Sequence, residues 1–341
     1  MMKQDATVLF IWNVDPNLQK YLKRKLSHIS HVTLIFPSDT SLRNLTKLAL
    51  KANIIVGWRP TKELLLSAKN LDLVINPGAG VQHLIPLFRE LASSKEVLLA
   101  NCHGNSHFVA QHAVALLLTL TNHVVPHHNW MTNGEWRKGD EAAASSPLRT
   151  RVIGLLGYGA VNMKVHQYLA NFTSRFAILR REWKKSRVML PTSAKKFRKD
   201  ELFPFLREVD TLIIALPLTS QTKGLIGERE LQLLGEKGLL VNVARGQVVK
   251  EDALYEALKN NIIAGAAIDV WYNYHPDPDS EGRLYPFSQP FHELHNVVLS
   301  PHRAASPFND LQRWDEVIDN IARYAKGAKN LLNIIDLQKE Y

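Results

Sequence analysis

The sequence predicts an α/β protein of two doubly wound domains with parallel sheets, the first domain discontinuous in the chain. Three observations lead there. Short, continuous apolar runs alternate with helix-like segments almost from end to end, as strands covered on both faces require. The runs fall into two series with a buried-looking helix between them. The second series opens with a strand that runs into Gly-Tyr-Gly and then a helix.

The first series predicts strands at 7–12 ("TVLFIW"), 32–36 ("VTLIF"), 53–58 ("NIIVGW") and 71–75 ("LDLVI"). The second predicts strands at 151–157, 175–180, 211–216, 238–243, 264–270 and 296–300, each separated from the next by a helical or polar stretch. The helix expected over 108–124, "FVAQHAVALLLTLTNHV", needs a sheet to cover it. The boundary is therefore expected in the polar, turn-prone stretch 101–105. The chain ends in an amphipathic helix and tail suited to return to the first domain. The expected division is residues 1–103 with 305–341, and residues 104–304.

Composition narrows the function classes. An apolar fraction of 45% is that of a globular protein, which excludes disorder and fibre. No apolar run approaches the roughly 20 residues of a membrane helix, so no membrane partner is expected. The N-terminus lacks a cleavage site and does not read as a signal peptide. The single cysteine, Cys102, rules out an internal disulfide and fits a reducing, cytoplasmic setting. The net charge is +10, and nine of the 42 basic residues lie between Arg180 and Lys199, opposed in that window only by Glu182. The half from Lys195 onward reads as a solvated surface loop.

The other half has a more specific address. Strand 151–157 leads into Gly157-Tyr158-Gly159, followed by a helix from Ala160 and Val161. Gly157 permits a tight turn, and Gly159 lets backbone approach a pyrophosphate at the helix N-terminus. Asn162 stands where a third glycine would serve helix–strand packing. At the end of the next strand, an acidic residue would bind the ribose hydroxyl of NAD; the position holds Arg180, followed by Arg181. Opposite charges about 4 Å apart near a protein surface interact by up to roughly 4 kcal/mol. That is enough to decide cofactor choice, and the planar guanidinium fork suits phosphate. The turn is thus expected to bind NADP(H) in preference to NAD(H).

Further motifs carry a resemblance. The stretch 215–258, "ALPLTSQTKGLIGERELQLLGEKGLLVNVARGQVVKEDALYEAL", with "GAAIDVW" (265–271) and "SPHRAA" (300–305), resembles the D-isomer-specific 2-hydroxyacid dehydrogenases. "NPGAGVQHL" (76–84), "GNSHFVAQHAVALLL" (104–118) and the tail 321–337 match in the same order. The resemblance implies that residues 1–103 with 305–341 form a substrate domain and 104–304 a Rossmann domain. It also implies hydride exchange between a nicotinamide and a 2-keto or 2-hydroxy acid. Arg245 matches the family's substrate clamp, able to bond carboxylate and carbonyl together. His302 matches its proton donor, suited to general acid–base work near neutral pH. The loop Gly78-Ala79-Gly80 offers backbone amides to the substrate carboxylate. Asp269 matches the residue that holds the nicotinamide carboxamide. Leu216, Pro217, Thr222, Val243, Ala244 and His302 complete the implied cofactor site. No metal is implied.

The chain departs from the family at several positions. Tyr274 stands where a glutamate normally backs the histidine, 29 residues after the arginine. A carboxylate there would raise the imidazole pKa; without it His302 should titrate lower, and Tyr274 is left to orient the ring through its hydroxyl. Gln111 replaces a usual glutamate. The loop 275–294 is long, and its Tyr285, Phe287 and Phe291 either cap the cleft or pack the loop down. Arg59, after Trp58 at a strand end facing the expected cleft, could meet a second acidic group on the substrate. Trp130 and Trp136 sit where relatives bury an arm against a second subunit, which implies a homodimer. His103, His107, His127 and His128 lack the clustered acids or cysteines of a metal site. The alternatives are a nucleotide-binding scaffold without catalysis, formate-like hydride donation without proton exchange, and nucleic-acid binding through 180–199, which is not expected.

Overall fold

The structure is a computed structural model that describes residues 5–173, 175–183, 189–306 and 309–341. The chain divides into two compact units, residues 1–105 with 307–341 and residues 106–306.

The first unit holds a parallel sheet in the order β2-β1-β3-β4-β5, from β1 (Ala6–Phe10), β2 (Val32–Ile35), β3 (Ile54–Val56), β4 (Leu73–Asn76) and β5 (Leu98–Asn101). Val8 pairs with Ile54, and Ile54 in turn with Leu73. The intervening helices start where the sequence provides caps: Asp15 accepts from Asn17 N–H ahead of Pro16–Leu26, and Ser41 and Thr61 cap the next two. Helix Asp315–Ala325 returns from the chain end. Its Val317, Ile318, Ile321 and Tyr324 pack on Val8, Phe10, Ile54 and Leu73. The tail then bridges β5, where Ile335 N–H donates to Leu99 O at 2.8 Å.

The second unit holds a seven-stranded parallel sheet, ordered β12-β11-β10-β9-β6-β7-β8. Its strands are β6 (Ile153–Leu156), β7 (Phe176–Arg180), β8 (Ala194–Arg198), β9 (Thr211–Ile214), β10 (Leu239–Asn242), β11 (Gly265–Ile268) and β12 (Val297–Leu299). The chain winds outward from β6 to β8, then returns to β9 on the other side of β6. That reversal opens a crevice at the carboxyl ends of β6 and β9, where ligands of such sheets bind. Helix Ser106–Thr121 covers one face, burying Ala110, Ala113, Leu117 and Leu120 against Ile153, Leu155 and Ile178. His123, in the left-handed region, ends that run. No helix among the described residues is singly long and apolar enough to cross a membrane.

Two strands correct the sequence reading. β5 was not expected, and β8 occupies what was read as a solvated loop from Lys195 onward. β8 is an edge strand that sinks only Phe197 while Lys195 and Lys196 stay exposed. Lysines are what an edge strand carries to resist pairing with other chains, so its charge hid it.

Candidate functional site

The dinucleotide turn is built from β6 outward. Gly157 lies in the left-handed region, φ +83°. A Cβ there would sit 2.7 Å from Leu216 Cδ2 and 2.8 Å from Ala215 O, so only glycine fits. Gly159 precedes helix Ala160–Leu169, and a Cβ on it would meet nothing within 4 Å. The backbone at Gly159 therefore faces open space at the helix's first turn, the room a pyrophosphate needs. Asn162 does more than tolerate the loss of a glycine. Fully buried, its Nδ2 donates to Gly157 O at 2.7 Å, Ile213 O at 3.2 Å and Leu156 O at 3.3 Å, tying the turn to β9.

Tyr158 turns inward, its hydroxyl 2.8 Å from His166 Nδ1, which leaves its backbone for any ligand. Burial pushes Tyr158 up to about 12 and His166 down to about 4, so both stay neutral. Val243 and Ala244 are likewise buried and can offer backbone only. Leu216 lies against Gly157, and Thr222 Oγ1 donates to Pro217 O at 2.7 Å, closing the loop after β9.

Arg180 is the last residue of β7, half-buried, its guanidinium 5.3 Å from the Trp183 ring centre. Arg181 donates to Gln221 Oε1 at 3.5 Å. The remainder of the basic cluster has other business. Lys184, Lys185 and Arg187 lie outside the described residues. Lys195 pairs with Glu208 at 2.6 Å, and Arg198 with Asp200 at 3.3 Å and Glu201 at 3.6 Å. Acids just beyond the window answer the charge within it.

Arg245, His302 and Tyr274 come together in the second unit. β10 ends in Asn242, whose buried Oδ1 accepts Ala244 N–H while Nδ2 donates to Arg245 O, both at 3.1 Å. Gly246 passes so close to Trp271 that a Cβ would lie 2.4 Å from Trp271 O. This bracket presents Arg245. On the facing loop, the Tyr274 hydroxyl accepts Trp271 N–H at 3.2 Å and lies 2.7 Å from His302 Nδ1. His302 is reachable from solvent, yet the protein packed around it lowers its pKa from 6.5. Burial is the main cause; Asp269 opposes it and the Arg245 guanidinium adds to it. Burial lifts Tyr274 above the ordinary phenol value, so its hydroxyl stays neutral.

Asp269, 1% exposed, is already engaged by protein donors: Ser300 Oγ at 2.5 Å, Arg303 N–H at 2.7 Å and Ala304 N–H at 3.0 Å, with His112 Nε2 at 3.4 Å. Burial works against its charge, but these hydrogen bonds outweigh it and leave the carboxyl below its usual value. Its evident work is to hold the segment that carries His302, which sits in the left-handed region at φ +55°. His112 was not singled out in the sequence; the exposed Gln111 beside it was.

In the first unit, β4 also ends in a buried asparagine. Asn76 Nδ2 donates to Gly78 O at 2.5 Å and Gly80 O at 3.3 Å; Asn101 Nδ2 takes Ala79 O at 2.7 Å. With its carbonyls so tied, the loop leaves the N–H groups of Gly78, Ala79 and Gly80 without a protein acceptor among the described residues. Such an array suits a carboxylate. Arg59 is exposed nearby in sequence, after β3.

The remaining candidates disperse. His103 N–H bonds Glu316, His107 meets Tyr168, and His127 meets Ala143 O. Among the described residues no group of histidines, cysteines or acids is placed to hold a metal. In the 275–294 loop, Phe291 is fully buried and Phe287 lies tilted against Trp271, with ring centres 5.0 Å apart. Those rings pack the loop onto its own unit.

A family model described as D-isomer specific 2-hydroxyacid dehydrogenase, NAD binding domain, matches residues 114–304. A glyoxylate reductase of Pyrococcus furiosus is 30% identical over 282 residues, which span 80% of this chain and 78% of that protein. The fold is that of a D-isomer specific 2-hydroxyacid dehydrogenase from Xanthobacter autotrophicus Py2 in complex with NADPH and MES (TM-score 0.78, 23% identity, 99% of this chain and 100% of that one). An NADPH-dependent glyoxylate/hydroxypyruvate reductase from Sinorhizobium meliloti, in complex with NADP and malonate, is similar at a TM-score of 0.69, with 24% identity and 98% of both chains covered.

Proposed function

The chain belongs to the D-isomer-specific 2-hydroxyacid dehydrogenase family, an NAD(P)-dependent group, and we propose that it reduces a short 2-keto acid with NADPH as the preferred donor. The observation that carries this reading is the 2.7 Å contact of His302 Nδ1 with the Tyr274 hydroxyl, within electrostatic reach of Arg245. The nicotinamide, when bound, supplies the hydride. Gly157, Gly159 and the first turn from Ala160 and Val161 hold the pyrophosphate, while Arg180 and Arg181 read the 2′-phosphate.

The protein's own residues do the rest. In the second unit Arg245 draws charge toward a keto acid's carbonyl and carboxylate; in the first, the amides of Gly78, Ala79 and Gly80 suit a carboxylate. His302 gives the proton to the carbonyl oxygen from Nε2. Tyr274 suits both protonation states of the ring. Its hydroxyl accepts from Nδ1–H both when the imidazole is charged and after Nε2 has given up its proton, which leaves Nε2 bare to take a proton back in oxidation. A neutral partner cannot hold the charged form as a carboxylate would. Reduction therefore needs His302 protonated and fades as pH rises through its lowered pKa; oxidation, which needs the neutral base, gains over the same span.

The apolar helix Val124–Thr132, none of whose residues is buried, and Trp136 at 73% exposure support docking of a second copy of the chain.

The test follows NADPH or NADH absorbance with a panel of 2-keto acids. Arg245→Ala and His302→Ala should each cost about 10²–10⁴-fold in kcat/KM. Turnover that survives both changes would overturn the assignment. Tight NADPH binding without turnover of any keto acid would point to a scaffold instead.

A further inference from the structure

His166 takes no part in the proposed reaction, yet both of its ring nitrogens are committed. It stands on the helix Ala160–Leu169, fully buried, where an unbonded polar group would be costly. Thr192 Oγ1 gives its own proton to Ser193 O at 3.3 Å, so it accepts from His166 Nε2–H at 2.9 Å. Nδ1 is then an acceptor and takes the Tyr158 hydroxyl proton at 2.8 Å. Tyr158, His166 and Thr192 thus form one directed chain with every proton used. It begins inside the 157–159 turn and ends just before β8.

β8 is a strand that needs its start fixed. It is the edge of the sheet, paired with β7 alone, and sinks only Phe197. Phe176, which opens β7, packs on the His166 ring with centres 4.1 Å apart and pairs with Ala194, which opens β8. At the other end of the pair, Arg180 lies opposite Arg198. Trp183 crosses to β8 there, donating from Nε1 to Phe197 O at 2.9 Å, and its ring centre lies 5.3 Å from the Arg180 guanidinium. The setting of Arg180 therefore depends on where β8 lies, and His166 pins β8 at its start. Arg180 is also within electrostatic reach of the Tyr158 hydroxyl, so the path closes on itself at the turn.

We propose that His166 is a positioning residue for cofactor choice: by bonding Tyr158 to Thr192 it seats β8 and Trp183 so that Arg180 meets the 2′-phosphate of NADP(H). This rests on the reading that Arg180 and Arg181 meet that phosphate. NADH carries no group there, so the tie bears on one cofactor and spares the other. A site that is competent for only part of the time binds more weakly by that fraction.

The test measures Kd for NADPH and for NADH by cofactor fluorescence on the full chain, with denaturant titration beside it. Thr192→Val keeps the side chain's shape and removes the acceptor at a half-buried position. It should weaken NADPH by about five- to tenfold and leave NADH within about twofold. His166→Gln sets an amide near the place of Nε2 and keeps the Thr192 bond; His166→Asn sets one near Nδ1 and loses it. The glutamine variant should keep the NADPH preference, and the asparagine variant should lose it by the same factor. A histidine serving only the core would weaken both cofactors alike or cost stability alone, and either result overturns the proposal. So does a Thr192→Val protein with an unchanged NADPH-to-NADH ratio, or a glutamine variant no better than the asparagine one. Should neither histidine variant fold, Thr192→Val decides. The underlying reading fails separately: it falls if wild type binds NADH as tightly as NADPH, or if Arg180→Ala leaves their ratio unchanged.

Discussion

Two glycine loops, 157–159 in the second unit and 78–80 in the first, both follow a parallel strand and use their glycines differently. Gly157 is a conformational necessity, at φ +83° and hard against Ala215 and Leu216. Neither Gly78 nor Gly80 is in the left-handed region, and a Cβ on Gly78 would make only ordinary contacts. At Gly78 neither backbone conformation nor packing demands a glycine, which suits a loop that keeps space for a ligand. The supports differ too. In 157–159 a helix N-terminus orients the amides; in 78–80 the side chains of Asn76 and Asn101 hold the carbonyls back. A glycine kept for shape should fail by unfolding, and one kept for space by losing only its ligand.

Substituting alanine separates the two. Gly157→Ala should lower the unfolding free energy by about 2–4 kcal/mol and weaken NADPH binding at least about tenfold. Gly78→Ala should stay within about 0.5 kcal/mol of wild type while KM for the keto acid rises about tenfold. Denaturant titration with NADPH fluorescence and steady-state kinetics reads all four quantities. Equal destabilisation at both sites would dissolve the contrast.

In the proposed reading the 157–159 turn meets a part shared by both cofactors, which places selectivity one strand away. Arg180→Ala or Arg181→Ala should weaken NADPH by about tenfold or more and move NADH by less than about twofold. If both cofactors weaken together, the arginines serve the fold or the shared pyrophosphate. The smallest effect is expected at Asn162→Gly, which restores a third glycine. The three carbonyl contacts vanish, lowering stability by about 1–3 kcal/mol, while NADPH affinity should hold within about threefold. A large loss of affinity would make Asn162 part of the binding surface.

These comparisons also explain what the sequence revealed. Long apolar strands in two series announce two parallel sheets because burial on both faces leaves an unbroken signature, as in 211–216. β8 escaped because an edge strand buries one side chain, Phe197, between lysines that read as solvent-facing. The places of Gly157, in a tight turn after β6, and of Arg180, at the end of β7, were legible from spacing alone. The side chains that hold the loops were not. Asn76, Asn101 and Asn242 each close an apolar strand just before a site loop, and all three are buried. That pattern, an asparagine ending an apolar run ahead of a glycine-containing turn, is the signal that would have found them. His112 reaches Asp269 and Ser300 across 157 and 188 residues of sequence respectively, a convergence local spacing cannot convey.

The central claim is that His302 works as a general acid beside a neutral hydroxyl. The most direct test is the pH dependence of kcat/KM for hydroxypyruvate reduction by NADPH between about pH 5 and 9, wild type beside Tyr274→Glu. Wild-type activity should fall with rising pH through an apparent pKa below 6.5, the ordinary histidine value. In Tyr274→Glu that limb should move up by about one unit or more, as a carboxylate beside imidazole favours the charged form. Superimposable profiles would contradict the account, as would a wild-type limb at or above the ordinary histidine value.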